Sequence, residues 1–381
     1  MTVEELDVYR KLQRELDKLP IGFPAVKSGI EIKILKYLFT SEEAELATRL
    51  KFGWFDEMET IEEIYEKVQD LGLSIDELEK KLDVMAKKGA IMYLKKEGKK
   101  TYGQAMLMIG MFEFQVNKMT EEFHKDVYKY LIQGFAMEFF STKINQLRTV
   151  PVEQSLTPEH HVANYNDVIK ILKESNGPFV VQNCVCRQGM DLIGRPCKLT
   201  DRREVCMGFG PAAQMYIDLG WGREINREEA INIIRKNEEE GLVLQPGNTL
   251  RPEFICSCCG CCCELLLGLK YLPRSREFVE TVYYAEVDPD VCAGCETCIG
   301  RCQTRAISLI DDVAVVNKMK CIGCGNCVPT CPTDAIQLKD TGEEIDLPET
   351  EKDLYKRIET KKNELREKKL KKQQRREARK K

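Results

Sequence analysis

Two stretches of this chain repeat one another at a fixed offset of 29 residues, each with four cysteines in the pattern C-x2-C-x2-C-x3-C. The first carries Cys292, Cys295, Cys298 and Cys302; the second carries Cys321, Cys324, Cys327 and Cys331. An Ala-Ile pair closes each copy, at Ala306-Ile307 and Ala335-Ile336. Three thiolates at two-residue intervals let a short loop wrap one corner of an iron–sulfur cubane. The fourth, three residues on, has entered a helix that leads away, so it reaches the neighbouring cluster. The pattern predicts two 4Fe–4S clusters with crossed ligand sets. Cys292, Cys295, Cys298 and Cys331 hold one, and Cys321, Cys324, Cys327 and Cys302 hold the other. Gly294 and Gly323 let the backbone turn tightly around the inorganic core. Asp311-Asp312 supplies the turn between strands at 307–309 and 313–316. Zinc is the competing assignment, since two C-x2-C pairs can build a four-cysteine site; eight cysteines in tandem favour iron–sulfur.

Residues 287–338 closely resemble the bacterial two-cluster ferredoxin family on these motifs. The resemblance implies a ferredoxin-like βαβ repeat that relays single electrons between adjacent clusters. The chain departs from the family at one place. Pro332 follows the last cysteine of the second repeat, but Gln303 stands there in the first. Arg301 and Arg305 flank that position, and positive charge near a cluster raises its potential.

All eighteen cysteines lie between Cys184 and Cys331, and ten of them precede the repeat. Cys184-Val-Cys186-Arg187 follows an apolar, strand-like run, Pro178 to Val181. Cys197 and Cys206 come next, then Cys256, Cys258, Cys259, Cys261, Cys262 and Cys263, six cysteines within eight residues. As free surface thiols they would be an oxidation hazard. On an extended segment residues two apart share a face, so Cys184 and Cys186 can point together, with Cys197 and Cys206 completing a set. Alternatively the two groups share ligands. One or two further iron–sulfur clusters are expected here, with zinc and redox-active or disulfide thiols as the alternatives. The Cys-x-Cys-Arg segment, the later Cys-Cys-x-Cys-Cys segment and the terminal ferredoxin-like module together resemble cysteine-rich multi-cluster iron–sulfur proteins of anaerobes.

The rest of the chain reads as α+β and multidomain. Residues 1–105 form a helical domain ending in a hairpin. Thr40 or Ser41, and Ser74, are N-caps with acids in the following turn, and Gly89 ends the helix begun at Ser74. Residues 90–94 and 101–102 flank a charged tip. Helices followed by a hairpin resemble a winged helix-turn-helix domain over residues 30–104. Eight lysines against Asp83 and Glu97 between Lys80 and Lys100 suit DNA phosphates, or simply a solvated face. Residues 106–177 form a helical connecting region whose aromatics read as core. Residues 178–285 are the cysteine-rich domain, 286–340 the two-cluster module and 341–381 a basic tail, helical or disordered. From Glu351 onward fifteen Lys/Arg face six Asp/Glu, and too few apolar residues are left to bury a face. His124, His160 and His161 have no partner at metal-ligand spacing. Gly208-Phe-Gly210-Pro, before a helix, hints at a phosphate-binding turn.

The acidic start of the chain has no apolar signal core. No apolar run approaches the roughly 20 residues of a membrane helix. A cytoplasmic protein with metal-bound cysteines is the expectation. Three functions follow. The first is an electron-transfer protein or oxidoreductase subunit, with the basic tail docking an acidic redox partner. The second is a redox-sensing regulator whose winged-helix-like domain binds DNA. The third is a reductase with its active site in the cysteine-rich domain. No acid–base pair, nucleophile triad or flavin signature supports a stand-alone enzyme, so electron transfer leads.

Overall fold

The computed structural model describes residues 3–156 and 166–378, with side chains from Asp7 onward; His160 and His161 lie outside them. The architecture is multidomain α+β. The chain divides into two compact units, Met1–Ile144 with Lys352–Lys381, and Asn145–Glu351.

In the first unit, local capping sets the helix starts. Thr40 accepts from the Glu43 amide while the Glu43 carboxylate accepts from the Thr40 amide, a reciprocal pair that opens helix Ser41–Ala47. The same box occurs at Thr60/Glu63 and Ser74/Glu77. Each such cap contributes about 1 kcal/mol by satisfying otherwise orphaned N–H groups. Helix Ile75–Lys88 ends at Gly89, whose φ of 75° is the left-handed conformation a glycine tolerates. Strands Ile91–Lys96 and Lys99–Gln104 pair antiparallel, and the short strand Glu59–Thr60 adds to the outer side of the second. Three of the eight lysines of this region are ion-paired: Lys81 with Glu42, Lys88 with Glu43, and Lys100 with Glu79 and Asp83.

The basic tail is helix Glu351–Ala378, and its first half does bury a face. Leu354, Tyr355 and Ile358 are almost wholly buried. Leu354 and Ile358 lie four residues apart, and Lys362 continues the same line. The Lys362 ammonium donates to the carbonyls of Asp17 and Leu19 and pairs with Glu138 at 2.6 Å. The Tyr355 ring sits 5.0 Å from that of Trp54. Low apolar content hid this because the few apolar residues fall on one stripe.

The second unit is built on a five-stranded antiparallel sheet. Its strand order is Arg223–Ile225, Phe179–Asn183, Glu204–Phe209, Phe254–Cys258, Val243–Pro246. Val181, Met207, Phe209, Leu244 and Ile255 from the strands join Ile171 and Leu172 of helix Val168–Glu174 and Ile234 of helix Arg227–Glu239 in one core. A second core, of Met190, Val205 and Leu242, is shared with cysteines. Strand Tyr283–Val287 pairs with Ile336–Asp340, so the two ends of the repeat region close on each other. Strands Ile307–Ile310 and Val313–Val316 form a hairpin between the copies. Its turn residues Asp311 and Asp312 have φ of 49° and 59°, the two left-handed positions that a tight hairpin turn needs.

Candidate metal centres

The four cysteines Cys292, Cys295, Cys298 and Cys331 line one small pocket, closed by Ala314 and Ile336. The last of these comes from the second copy of the repeat. Cys302, from the first copy, lies electrostatically close to Cys321, Cys324 and Cys327. Helix Thr297–Arg301 carries Cys302 away from the first loop, as the three-residue spacing requires. Backbone N–H groups point at the sulfurs: Ala314 to Cys292 at 3.5 Å, Ala285 to Cys321 at 3.3 Å and Ala306 to Cys302 at 3.1 Å. Hydrogen bonds of this kind set the potential of a thiolate-bound cluster.

Burial raises the pKa of Cys321 and Cys327, and it pushes the Cys324 thiol up to about 12. A bare thiolate is disfavoured there, whereas iron bound to the sulfur holds it deprotonated. The donor set and its surroundings therefore fit a cluster. Cys295 is the exposed exception, and the Thr297 hydroxyl at 3.5 Å holds its thiol below the usual range.

The substitution of Gln303 for proline has a structural reason. Its side-chain carbonyl accepts from the Gly260 amide at 2.9 Å, and its amide donates to the Arg301 carbonyl at 3.0 Å. A proline could make neither bond. A Cβ on Gly260 would stand 2.2 Å from the main-chain carbonyl oxygen of Gln303, so glycine is required for the approach. The Arg301 guanidinium donates to the carbonyls of Glu238 and Glu239 at 3.1 and 2.7 Å. It thus caps the C-terminus of helix Arg227–Glu239, where the helix dipole favours a cation. Its charge still reaches Cys324. Arg305 lies over the Tyr271 ring, 5.9 Å from its centroid.

The ten remaining cysteines separate into two groups, and all eighteen thiols are unbridged. The first group is Cys197, Cys259, Cys261 and Cys262, whose sulfurs all lie within 4.8 Å of one another. The second is a closed ring of six in which each thiol is linked electrostatically to two neighbours. Its order is Cys184, Cys186, Cys263, Cys258, Cys256, Cys206 and back to Cys184. The interaction with Cys206, then that with Cys258, pulls the Cys256 thiol down to about 5. Cys206 therefore lies with Cys184 and Cys186, whereas Cys197 lies with Cys259, Cys261 and Cys262, and each spatial group draws cysteines from both stretches of the sequence.

The sheet explains the sorting. Met207 pairs with Ile255 and Gly208 with Phe254, a register that continues to Cys206 opposite Cys256. Strand alternation puts Cys258 on the same face as Cys256. Cys184 and Cys186 do not share the one extended segment that the sequence suggests: Cys184 is the extended N-cap residue of helix Val185–Leu192, and Cys186 lies in the first turn. The two thiols nonetheless influence each other electrostatically. Cys263 caps helix Glu264–Leu269.

Between the two groups lies Arg187, wholly buried. It donates to the Ser257 carbonyl at 3.0 Å. Cys184, Cys259 and Cys206 all draw on its charge, and it hydrogen-bonds Cys197. The sequence placed this arginine beside Cys186 without any sign that it is internal.

Elsewhere the expected sites are weaker. His124 is buried, and burial lowers its pKa. Helix Gly210–Asp218 opens at Gly210, but the cleft there is lined by Glu174, Glu253 and Glu349 against a single cation, Arg251, itself paired with Glu349, a net negative balance that disfavours phosphate. Among the described residues no helix is long and apolar enough to cross a membrane.

A cysteine-lined pocket, N–H groups aimed at sulfur and buried thiols together define an iron–sulfur protein. In agreement, residues 314–337 match the family model described as a 4Fe-4S binding domain, so the chain carries at least one 4Fe–4S cluster. No curated protein and no solved structure matches it.

Proposed function

We propose that this chain is an electron-transfer protein or an oxidoreductase subunit that relays single electrons through two 4Fe–4S clusters and a further iron–sulfur centre. One cluster is held by Cys292, Cys295, Cys298 and Cys331, the other by Cys302, Cys321, Cys324 and Cys327. The observation that carries this reading is the placement of Cys331 in the pocket of the first copy, as a crossed two-cluster module requires. Clusters supply one-electron redox chemistry; the protein's part is to hold them close together and to set their potentials through hydrogen bonds, burial and charge. The six-thiol ring supplies the ligands of the further centre. A redox partner protein completes the circuit, and the positively charged end of helix Glu351–Ala378 suits an acidic one.

The test is iron and acid-labile sulfide per chain on anaerobically purified protein, with EPR of the reduced state. About twelve of each is expected on four-iron arithmetic. About eight of each restricts the clusters to the module, and absence of sulfide overturns the reading.

The regulator reading keeps one supporting observation, the three-stranded sheet and lysine-bearing hairpin that follow the helices of the first unit. Ion-pairing of Lys81, Lys88 and Lys100 weakens it, because a neutralised lysine releases fewer counterions from DNA. Steeply salt-dependent DNA binding that changes with cluster redox state would restore it.

A further inference from the structure

We infer that Cys197, Cys259, Cys261 and Cys262 form a closed tetrahedral site for one first-row metal ion, zinc or iron, and not for an iron–sulfur cluster. The inference goes beyond the electron-transfer reading and does not need the ferredoxin-like module to be loaded.

The sulfur separations carry it. A tetrahedral metal with bonds of about 2.3 Å to sulfur has sulfur–sulfur edges of about 3.8 Å. Cys197 lies 3.7 Å from Cys259 and 3.8 Å from Cys261; Cys261 lies 3.5 Å from Cys259 and 3.7 Å from Cys262. In a cubane each terminal thiolate binds a different iron on the outside of the core, so its ligand sulfurs do not touch. In the repeat, by contrast, the thiols of Cys295, Cys302 and Cys331 meet hydroxyls rather than sulfurs, those of Thr297, Thr304 and Thr333, each two residues on.

The surroundings agree. Cys197, Cys259 and Cys262 are buried, the last two at 1% and 0% exposed, and Cys261 is partly exposed; four protein thiols fill a tetrahedral shell and leave no open position. That describes a structural metal site, not a catalytic one. Four thiolates around a divalent ion carry a net charge of two minus. Arg187 hydrogen-bonds Cys197, the Lys198 amide donates to the Cys261 sulfur at 3.5 Å, and the charge of Lys270 acts on Cys259 and Cys261. These are the contacts that fix and neutralise metal-bound sulfur.

The chemistry of the ligand set also separates it from the ring. Cys258 and Cys263 belong to the ring, whereas Cys259 and Cys262 belong to this site, so two peptide bonds join the two centres directly. A metal here would lock the loop from Cys259 to Cys263 onto the loop that carries Cys197.

The experiment uses the full chain, purified anaerobically, with zinc, iron and sulfide measured together for wild type and for Cys197→Ser/Cys262→Ser. The expected result is that the variant loses one metal ion per chain and no sulfide. Loss of iron and sulfide in equal amounts overturns the inference, as does retention of all metal. Should the variant not fold, native mass spectrometry of the wild type decides. One metal ion in excess of the sulfide-matched iron is expected, and a mass with iron and sulfide equal and no zinc overturns it. If sulfide is wholly absent while one ion per chain is still lost, the electron-transfer reading fails and this site stands.

Discussion

Replacing Gln303 by proline, the residue that the second repeat uses at the same place, isolates one hydrogen bond between the repeat and the cysteine-rich loop. Cys302 has φ −73° and ψ 113°, an extended conformation that a following proline accepts. The loss that reaches the cysteine-rich loop is the acceptor for the Gly260 amide, which faces the buried Gln303 side chain at 2.9 Å; the bond to the Arg301 carbonyl within the repeat is lost as well. A buried donor left unpaired costs about 1–3 kcal/mol. The stiffer unfolded chain returns about 0.4–1 kcal/mol of global stability, but it does not restore the local bond. Opening at Gly260 should therefore become easier by roughly 1–3 kcal/mol, a factor of about 5–150. Hydrogen–deuterium exchange of the peptide spanning Gly260, read by mass spectrometry on anaerobic protein, reports this directly. Gln303→Glu keeps an acceptor of the same reach and should leave protection near wild type. If Gln303→Pro exchanges at the wild-type rate, the bond does not hold the loop, and the account of why the first repeat lacks its proline is wrong.

Three other outcomes follow from the structure. Cys331→Ser and Cys292→Ser should abolish the same cluster signal in EPR, because both sulfurs line one pocket; loss of different signals would mean uncrossed ligation. Ile358→Ala should cost about 2–5 kcal/mol, since Ile358 is fully buried, and should lower the thermal midpoint of the unit that contains the tail; an unchanged midpoint would return the tail to a solvated role. Burial raises Glu238 from the ordinary 4.5 to about 7. Its charged form is thus disfavoured in the folded state, and the contribution to stability falls as pH rises from about 4.5 to about 7, by roughly 3 kcal/mol in all. Glu238→Gln, which keeps the acceptor for the Glu153 amide, should be more stable than wild type at pH 8 and equal to it near pH 4.5; a pH-independent difference in melting temperature would refute this.

Local rules made much of the fold legible. Thr40 and Ser74 cap the helices they precede, Gly89 ends one of them, and Asp311-Asp312 turns the hairpin, because each depends on residues at most four positions apart. The repeat is legible for the same reason, as its loops carry their own ligands. The sorting of the ten central cysteines is not, because it is decided by strand order. Strand Glu204–Phe209 lies between Phe179–Asn183 and Phe254–Cys258, which takes Cys206 to Cys184 and Cys256 and leaves Cys197 for the loop beyond. Buried Arg187 was hidden likewise, since nothing near it in sequence marks it as interior. The apolar stripe of the tail could have been found at Leu354 and Ile358 by their four-residue spacing, which outweighs the charge around them.

The segment Cys256–Cys263 ties these parts together. Its strand residues Cys256 and Cys258 face the six-thiol ring, its turn residues Cys259, Cys261 and Cys262 face Cys197, and Cys263 returns to the ring as a helix cap. Gly260, in the middle of the turn, binds Gln303, which is bonded to Cys302. On the proposed reading, the ring and the cluster held by Cys302 are the ends of one short path. A closed-shell ion at Cys197, Cys259, Cys261 and Cys262 would carry no electrons along it. It would instead hold the turn rigid, and with it the spacing between two redox centres. A loosened turn should then slow internal electron transfer while leaving each centre's own spectrum intact, so a positional role and an electron-carrying role for that metal make opposite demands on what happens when zinc replaces iron there.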